Sequence, residues 1–189
     1  MISEEIKNKN FRLFLTKLNN LNINTDKIEE VIGEKLLNAT FSISNENGCA
    51  YDGSLLHIVL RTLTPFAIKL NELLPEDKRV STESIIKVCL LSHISKALMF
   101  EKNDNQWEIE KKGMIYKYAK SDVALKMGAK SILLCQTLGI TFTAEEFEAM
   151  LILDKDDNDM QSKYYATPLS IIVKQANELT HLNNRLNNK

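Results

Sequence analysis

The chain has 189 residues and a formal net charge of −1, because 24 Lys and Arg nearly balance 25 Asp and Glu. A chain of this length forms one domain around one core. The composition, with 44% hydrophobic and 26% charged residues, is typical of a globular protein and excludes wholesale disorder. No basic excess is present to neutralise a phosphate backbone, so we expect no nucleic-acid partner.

Two amphipathic helices are predicted in the first 39 residues. Apolar residues recur at helical spacing in the first of them, at Ile6, Phe11, Phe14, Leu15 and Leu18. Asp26, with Glu29 three residues later, predicts a capping box at the start of a second, shorter helix. We expect residues 1–39 to pack on the core of the domain.

A polar loop and a kinked helix are predicted next. Residues 40–52 are rich in asparagine and lack periodicity, which indicates an ordered loop. Helical spacing begins at Gly53 or Ser54 and continues to about Leu73. Pro65 lies inside this helix and predicts a kink, because proline has no backbone N–H.

The middle of the sequence predicts a long central helix and a hairpin. Ser81 or Thr82 can cap a helix that is apolar on more than one face as far as Leu98. We therefore place this helix at the centre of the core. Residues 107–118 alternate between apolar and charged side chains around Lys112-Gly113, a pattern that predicts a two-stranded hairpin.

Two further helices are predicted after the hairpin. Helical periodicity resumes at Asp122 and runs to Leu138, where Gly139 ends it. Thr143 and Glu146 supply a capping box for the following helix.

The C-terminal part predicts an aspartate-rich loop and a last helix. Residues 154–159 form the loop, and Thr167-Pro168, a cap followed by proline at the first helical position, opens a helix that reaches Leu182. We expect residues 183–189 to fray. The sequence therefore predicts an all-α domain of six or seven helices with one small β-hairpin, in which residues 40–182 form the main helical unit.

Cysteine spacing and hydropathy bear on the cellular environment. Cys49, Cys89 and Cys135 stand about 40 residues apart, which matches neither a disulfide framework nor a zinc site. No apolar run approaches the roughly 18 residues that a membrane span requires. We expect a soluble protein of the reducing cytoplasm with no membrane partner.

The common catalytic and metal-binding patterns are absent. No two glycines stand at phosphate-loop spacing, and no Gly-x-Ser-x-Gly elbow occurs. The aspartates of residues 154–159 lack the glycine and glutamate that a calcium-binding EF-hand loop needs, so we interpret them as a solvated loop. The only histidines are His57, His93 and His181.

The order of four segments is similar to that of the small HD-domain phosphohydrolases. AYDGSLLHIVLRTL resembles the start of that family's first metal-ligand helix, and SIIKVCLLSHISKALMF resembles the helix that carries the His-Asp pair. KMGAKSILL and TPLSIIVKQANELTHL resemble two later segments of the family, the second of which supplies a last Asp. The resemblance covers residues 40–182 and implies an HD-domain-like helical bundle.

Members of this family hold a metal with His and Asp side chains, which activates water and offsets phosphate charge. In this sequence the matched positions hold other residues, namely Ile58, Ser92, His93, Met127, Leu153 and Asn177. Aliphatic and hydroxyl side chains do not replace imidazole, and a neutral amide is a weak substitute for a carboxylate. Only His93, together with Asn177, is expected to face the centre. The resemblance therefore implies an HD fold without metal, cofactor or catalytic residues, a pseudoenzyme.

Three functional hypotheses follow from the resemblance. The first is a structural or adaptor protein of a bacterium or phage, including a component of a phage particle, which contacts another protein or a second copy of itself. Its candidate contact surfaces are the N-terminal helix, the hairpin and residues 154–165. The second is a divergent metal-dependent phosphohydrolase acting on nucleotides, with ligands drawn from His57, His93, Asp154 and His181. The third is a nucleotide sensor, whose residual pocket would present Lys96, Lys126 and Lys130.

Overall fold

The structure is a computed structural model, and it describes residues 2–45, 48–154 and 166–187. The described residues are mostly helical, with a small two-stranded antiparallel sheet. In chain order the longer helices and strands are α1 Glu4–Asn19, α2 Asp26–Asn38, α3 Ser54–Ile58, α4 Thr64–Glu72, α5 Thr82–Leu91, α6 Lys96–Met99, β1 Phe100–Lys102, α7 Gln106–Lys112, β2 Tyr116–Tyr118, α8 Met127–Thr137, α9 Ala144–Leu151 and α10 Pro168–Asn187. An all-α domain with one small sheet is thus confirmed.

Part of the core lies between the buried face of α10 and the helices against which α10 packs. α10 packs on α4, α5 and α9, and α8 packs on α9. α1 and α2 contact each other and both contact α3, and Phe14 and Leu18 of α1 are fully buried. The apolar face of α1 therefore belongs to the core. The hypothesis that this face is a contact surface for a partner is wrong, because Phe14 and Leu18 are not accessible.

A π-helical turn, Val59–Leu63, joins α3 to α4. The Thr64 backbone N–H donates to the Val59 carbonyl, five residues earlier, and the Thr64 hydroxyl donates to the same oxygen at 2.8 Å. Pro65 follows directly and has no N–H to continue an ordinary helical ladder. The predicted helix over this segment is therefore present, and the irregularity expected at Pro65 takes the form of this π turn.

The long helix predicted as far as Leu98 is broken after Leu91. Residues 92–95 form a turn before α6 begins at Lys96. Ser131 of α8 stabilises this turn, because its hydroxyl donates to the Ser92 carbonyl at 2.9 Å and accepts from the Ser95 N–H at 3.3 Å. These bonds from a distant helix replace part of the helical ladder, and the local sequence carries no signal for them.

The sheet was predicted, but its first strand was placed wrongly. β1 pairs with β2 in the register Phe100↔Tyr118, Glu101↔Lys117 and Lys102↔Tyr116. The predicted first strand is instead α7, which carries Trp107 and Ile109. Asn105 caps α7 by accepting from the Glu108 N–H, and Gly113 ends it with a φ of 62°. Capping residues at both ends of α7 thus outweigh the alternating pattern between them.

Two predicted helix starts also differ from the structure. α8 begins at Met127 and not at Asp122, because the Asp154 carboxylate accepts from the Gly128 and Ala129 N–H groups at 2.8 and 2.9 Å and so fixes the first turn there. The capping box predicted for α2 does not form. Thr25 precedes that helix without a side-chain cap.

The C-terminal boundaries are partly as predicted. Gly139, with a φ of 82°, follows the end of α8, and the Thr143–Glu146 capping box opens α9. α10 begins at Pro168 but continues to Asn187, well into the segment that was expected to fray. The aspartate-rich loop after Asp154 lies outside the described residues. None of the described helices is both long enough and apolar enough to cross a membrane.

Candidate functional site

Three of the positions matched to metal ligands meet in the structure. His93 lies in the turn between α5 and α6, Met127 begins α8, and Asn177 lies on α10. The His93 ring approaches the Met127 sulfur through Nδ1 and the Asn177 amide oxygen through Nε2, both at 3.1 Å. The sequence expected His93 and Asn177 to face inward together, and the structure places them in contact.

The break between α5 and α6 is what turns His93 toward Met127 and Asn177. Ser131 fixes that break from α8, and the Ser95 hydroxyl adds a bond to the Met127 carbonyl at 3.1 Å. His93 is only 2% exposed. The amide oxygen is a stronger acceptor than a thioether, so we assign the single proton of the neutral ring to Nε2.

Phe41 fills the space beside His93. Its ring centroid lies 5.1 Å from that of His93 and 5.5 Å from that of His181. The Lys96 ammonium nitrogen lies 3.8 Å from the Phe41 centroid and donates to the Phe41 carbonyl at 2.7 Å. We call His93, Met127, Asn177, Phe41, Lys96 and His181 the His93 cluster.

Burial governs the protonation of the His93 cluster. It lowers the pKa of His93 well below 6.5, with smaller contributions in the same direction from Lys96 and His181. Burial also lowers the pKa of Lys96 to about 7, against an opposing effect of Cys49. The pKa of His181 is lowered by burial, Lys96 and Arg185. Near neutral pH the imidazoles are therefore uncharged, and Lys96, which is about half protonated at pH 7, carries the positive charge of the cluster.

The other matched positions take part in packing. Ile58 and Ser92 are buried, and Leu153 packs against the core. The Ser92 hydroxyl turns back to the Cys89 carbonyl at 3.5 Å. These side chains offer a metal no nitrogen or carboxylate donor.

The three lysines proposed for a residual pocket have separate partners. Lys96 bonds to Phe41 inside the domain, whereas Lys126 donates to the Asp154 carbonyl at 2.8 Å. Lys130 donates to the Ser121 hydroxyl at 3.0 Å. The structure therefore does not bring the three ammonium groups together.

The residues of the alternative metal site are likewise engaged elsewhere. The Asp154 carboxylate caps α8, and His57 lies on α3 with its Nδ1 3.5 Å from the side-chain nitrogen of Asn10. His181 contacts Phe41. Across residues 2–45, 48–154 and 166–187, no three His, Cys, Asp or Glu side chains form a group that could hold a metal ion.

Cys49, which interacts electrostatically with Lys96 of the His93 cluster, lines a small pocket. The pocket has a volume of about 200 Å³, and Cys49, His57, Ile58 and Asn184 contribute to its walls. Burial raises the pKa of the Cys49 thiol to about 11, while Lys96 acts in the opposite direction. This electrostatic coupling links the pocket to the cluster.

Sequence reasoning missed the roles of Phe41 and Cys49, which lie at the edges of a polar segment. The one available signal was compositional, since two apolar residues that flank a run of polar ones are candidates for anchoring it. Searches of protein-family models, of curated proteins and of solved structures found no match to this chain.

Proposed function

We propose that the chain is an HD-type helical protein that has exchanged metal chemistry for a closed, packed centre, and that it acts as a structural or adaptor protein. The observation that carries this proposal is the His93 cluster. There His93 contacts both Met127 and Asn177, three positions that the resemblance assigns to metal ligands, and a buried lysine lies nearby.

The donor atoms at His93 suit packing better than metal binding. The Nε2–H group donates to Asn177, and a thioether faces Nδ1. A hydrolytic metal takes three or four nitrogen or oxygen donors and keeps a position open for water. One imidazole, one amide and a thioether do not supply that set, and the thioether prefers soft metals.

The charge of Lys96 argues in the same direction. Its ammonium group lies against Phe41, which in turn contacts His93. A divalent cation entering beside His93 would meet this positive charge in a region of low dielectric constant, where repulsion between like charges is strong. While Lys96 is protonated, this repulsion disfavours a divalent cation in the His93 cluster.

The surface would then carry the function. Trp107 on α7 is 58% exposed and Tyr118 on β2 is 64% exposed. Exposed aromatic residues are frequent energetic centres of protein interfaces. A protein partner, such as a neighbouring component of a phage particle or a second copy of the chain, would contact this side of the domain.

Metal analysis and activity assays test the first part of the proposal. Purified protein, incubated with Mg²⁺, Mn²⁺ or Zn²⁺ and then desalted, should retain metal well below one equivalent. It should not hydrolyse nucleotide phosphoesters above the level of His93→Ala. Stoichiometric metal and a turnover that His93→Ala abolishes would instead establish the divergent phosphohydrolase acting on nucleotides. Calorimetric binding of a nucleotide without hydrolysis would favour the sensor and contradict the adaptor role.

Co-purification tests the second part. A tagged chain expressed in its native source should retain the same protein partner through repeated washes, or should self-associate in light scattering. The double variant Trp107→Ser, Tyr118→Ser should lose that association. Leu73→Ser is the matched control, because Leu73 is 80% exposed and directly follows α4, outside both α7 and β2. Equal association of both variants would contradict the proposed contact surface.

A further inference from the structure

A groove separate from the His93 cluster opens between α6 and α8. It is closed on its third side by the end of β2 and residues 119–123, and its volume is about 500 Å³. We call it the α6–α8 groove. Its size falls within the roughly 300–1,000 Å³ range of small-molecule pockets.

The lining of the groove is mainly apolar. Leu98 and Met99 come from α6, and Leu133 and Leu134 come from α8. Leu98 and Leu133 remain 41% and 45% exposed, and Val123 at the edge is 48% exposed. Apolar side chains left in contact with water along the walls of one concavity favour an apolar ligand that covers them.

The polar groups at the groove favour a negative charge on that ligand. Lys120 and Lys130 line it together with a single carboxylate, Asp122. The Lys120 ammonium group forms no hydrogen bond or ion pair with any residue that the structure describes. Lys130 uses one of its three donors on Ser121. These three side chains therefore give the groove a net charge of +1, and both ammonium groups keep N–H donors for a ligand.

We propose that the α6–α8 groove binds a small amphiphilic carboxylate, with its apolar chain against α6 and α8 and its carboxylate at Lys120 and Lys130. This inference does not rest on the proposed adaptor role, although Tyr118 at the end of β2 belongs to both surfaces. It assigns a ligand class to a site that lies apart from the positions matched to metal ligands.

Decanoate is the probe, used below its micelle concentration on the full chain. Methyl NMR spectra should show saturable, one-to-one shifts at Leu98, Val123 and Leu133. Leu133→Glu should abolish the shifts, because it places a negative charge on the apolar wall. Leu182→Glu should leave binding unchanged. Leu182 is the matched control, since it is 43% exposed on α10, outside the groove.

The head group is tested separately. The double variant Lys120→Met, Lys130→Met should weaken decanoate binding about tenfold and leave 1-decanol binding unchanged, since exposed charge contacts contribute modestly. Decyltrimethylammonium should bind more weakly than decanoate. Equal binding of the three probes would overturn the anionic class. Absence of decanoate shifts, with shifts of the same methyl groups on adding a peptide of alternating Glu and Leu, would assign the groove to a protein segment and overturn the proposal.

Discussion

Replacement of Lys96 by methionine tests the electrostatics of the His93 cluster. Burial lowers the pKa of Lys96 from 10.5 to about 7. Each unit of difference in pKa between the folded and the unfolded chain changes the free energy of unfolding by about 1.4 kcal/mol. The folded protein therefore bears a cost of about 5 kcal/mol while Lys96 is protonated. That cost is fully present below pH 7, and it falls as pH rises toward 10.5, because the unfolded chain then binds the extra proton.

Methionine has a similar unbranched shape and no charge, so Lys96→Met removes this pH-dependent cost. It also leaves the Phe41 carbonyl without its hydrogen bond, which costs about 1–3 kcal/mol. We expect the variant to be more stable than the wild type by about 2–4 kcal/mol at pH 6. Near pH 9 the advantage should shrink by about 3 kcal/mol and approach zero.

The assay is urea unfolding of both proteins at pH 6, 7.5 and 9. Lys35→Met is the control, because Lys35 is an exposed lysine on α2. Effects of titrating groups that do not interact with Lys96 cancel when the variant is compared with the wild type at each pH. A free-energy difference between Lys96→Met and the wild type that stays constant from pH 6 to 9 would refute the reasoning.

Four further substitutions probe contacts in α8, in α2, in the turn between α5 and α6, and in the first turn of α9. Gly128→Ala should destabilise the protein by at least about 2 kcal/mol in urea unfolding, because a Cβ there would lie 2.3 Å from a backbone carbonyl oxygen of α9. Gly33→Ala, with 3.6 Å of clearance, should instead be neutral or stabilising by up to about 1 kcal/mol. Ser131→Ala should cost about 1–3 kcal/mol and increase amide exchange in the turn between α5 and α6, whereas unchanged exchange would contradict its role. Burial raises the pKa of the Glu146 carboxyl, but the hydrogen bonds that it accepts, first from Lys87, outweigh burial and leave it below 4.5. The stability that ionised Glu146 contributes is therefore lost as pH falls below 4.5 and Glu146 becomes protonated. Glu146→Gln should accordingly reduce the decrease in the free energy of unfolding at acid pH.

Local signals predicted the elements whose ends are set by neighbouring residues. Thr143 and Glu146 cap α9, and Gly139 follows α8, as their spacing indicated. The failures occur where distant residues decide. Ser131, which is 36 and 39 residues from the two residues that it bonds, fixes the break after α5. Asp154, 26 residues after Gly128, fixes the first turn of α8.

The candidate site was predictable from the sequence only in part. The resemblance indicated that His93 and Asn177 would both face the centre, and the structure places their side chains in contact. The burial of Lys96 against Phe41 was not predictable, since a lysine is usually solvated and Phe41 precedes a polar segment. That pair depends on the segment after α2 placing Phe41 beside α6, which no periodicity encodes.

The state of the His93 ring tests the account most directly. Nitrogen-15 spectra of the imidazole, recorded with and without excess Mg²⁺ or Zn²⁺, report which ring nitrogen carries the proton and whether either binds metal. The account predicts a neutral ring protonated at Nε2, with both shifts unchanged by either ion. A one-to-one, metal-induced shift at a ring nitrogen of His93 would contradict it.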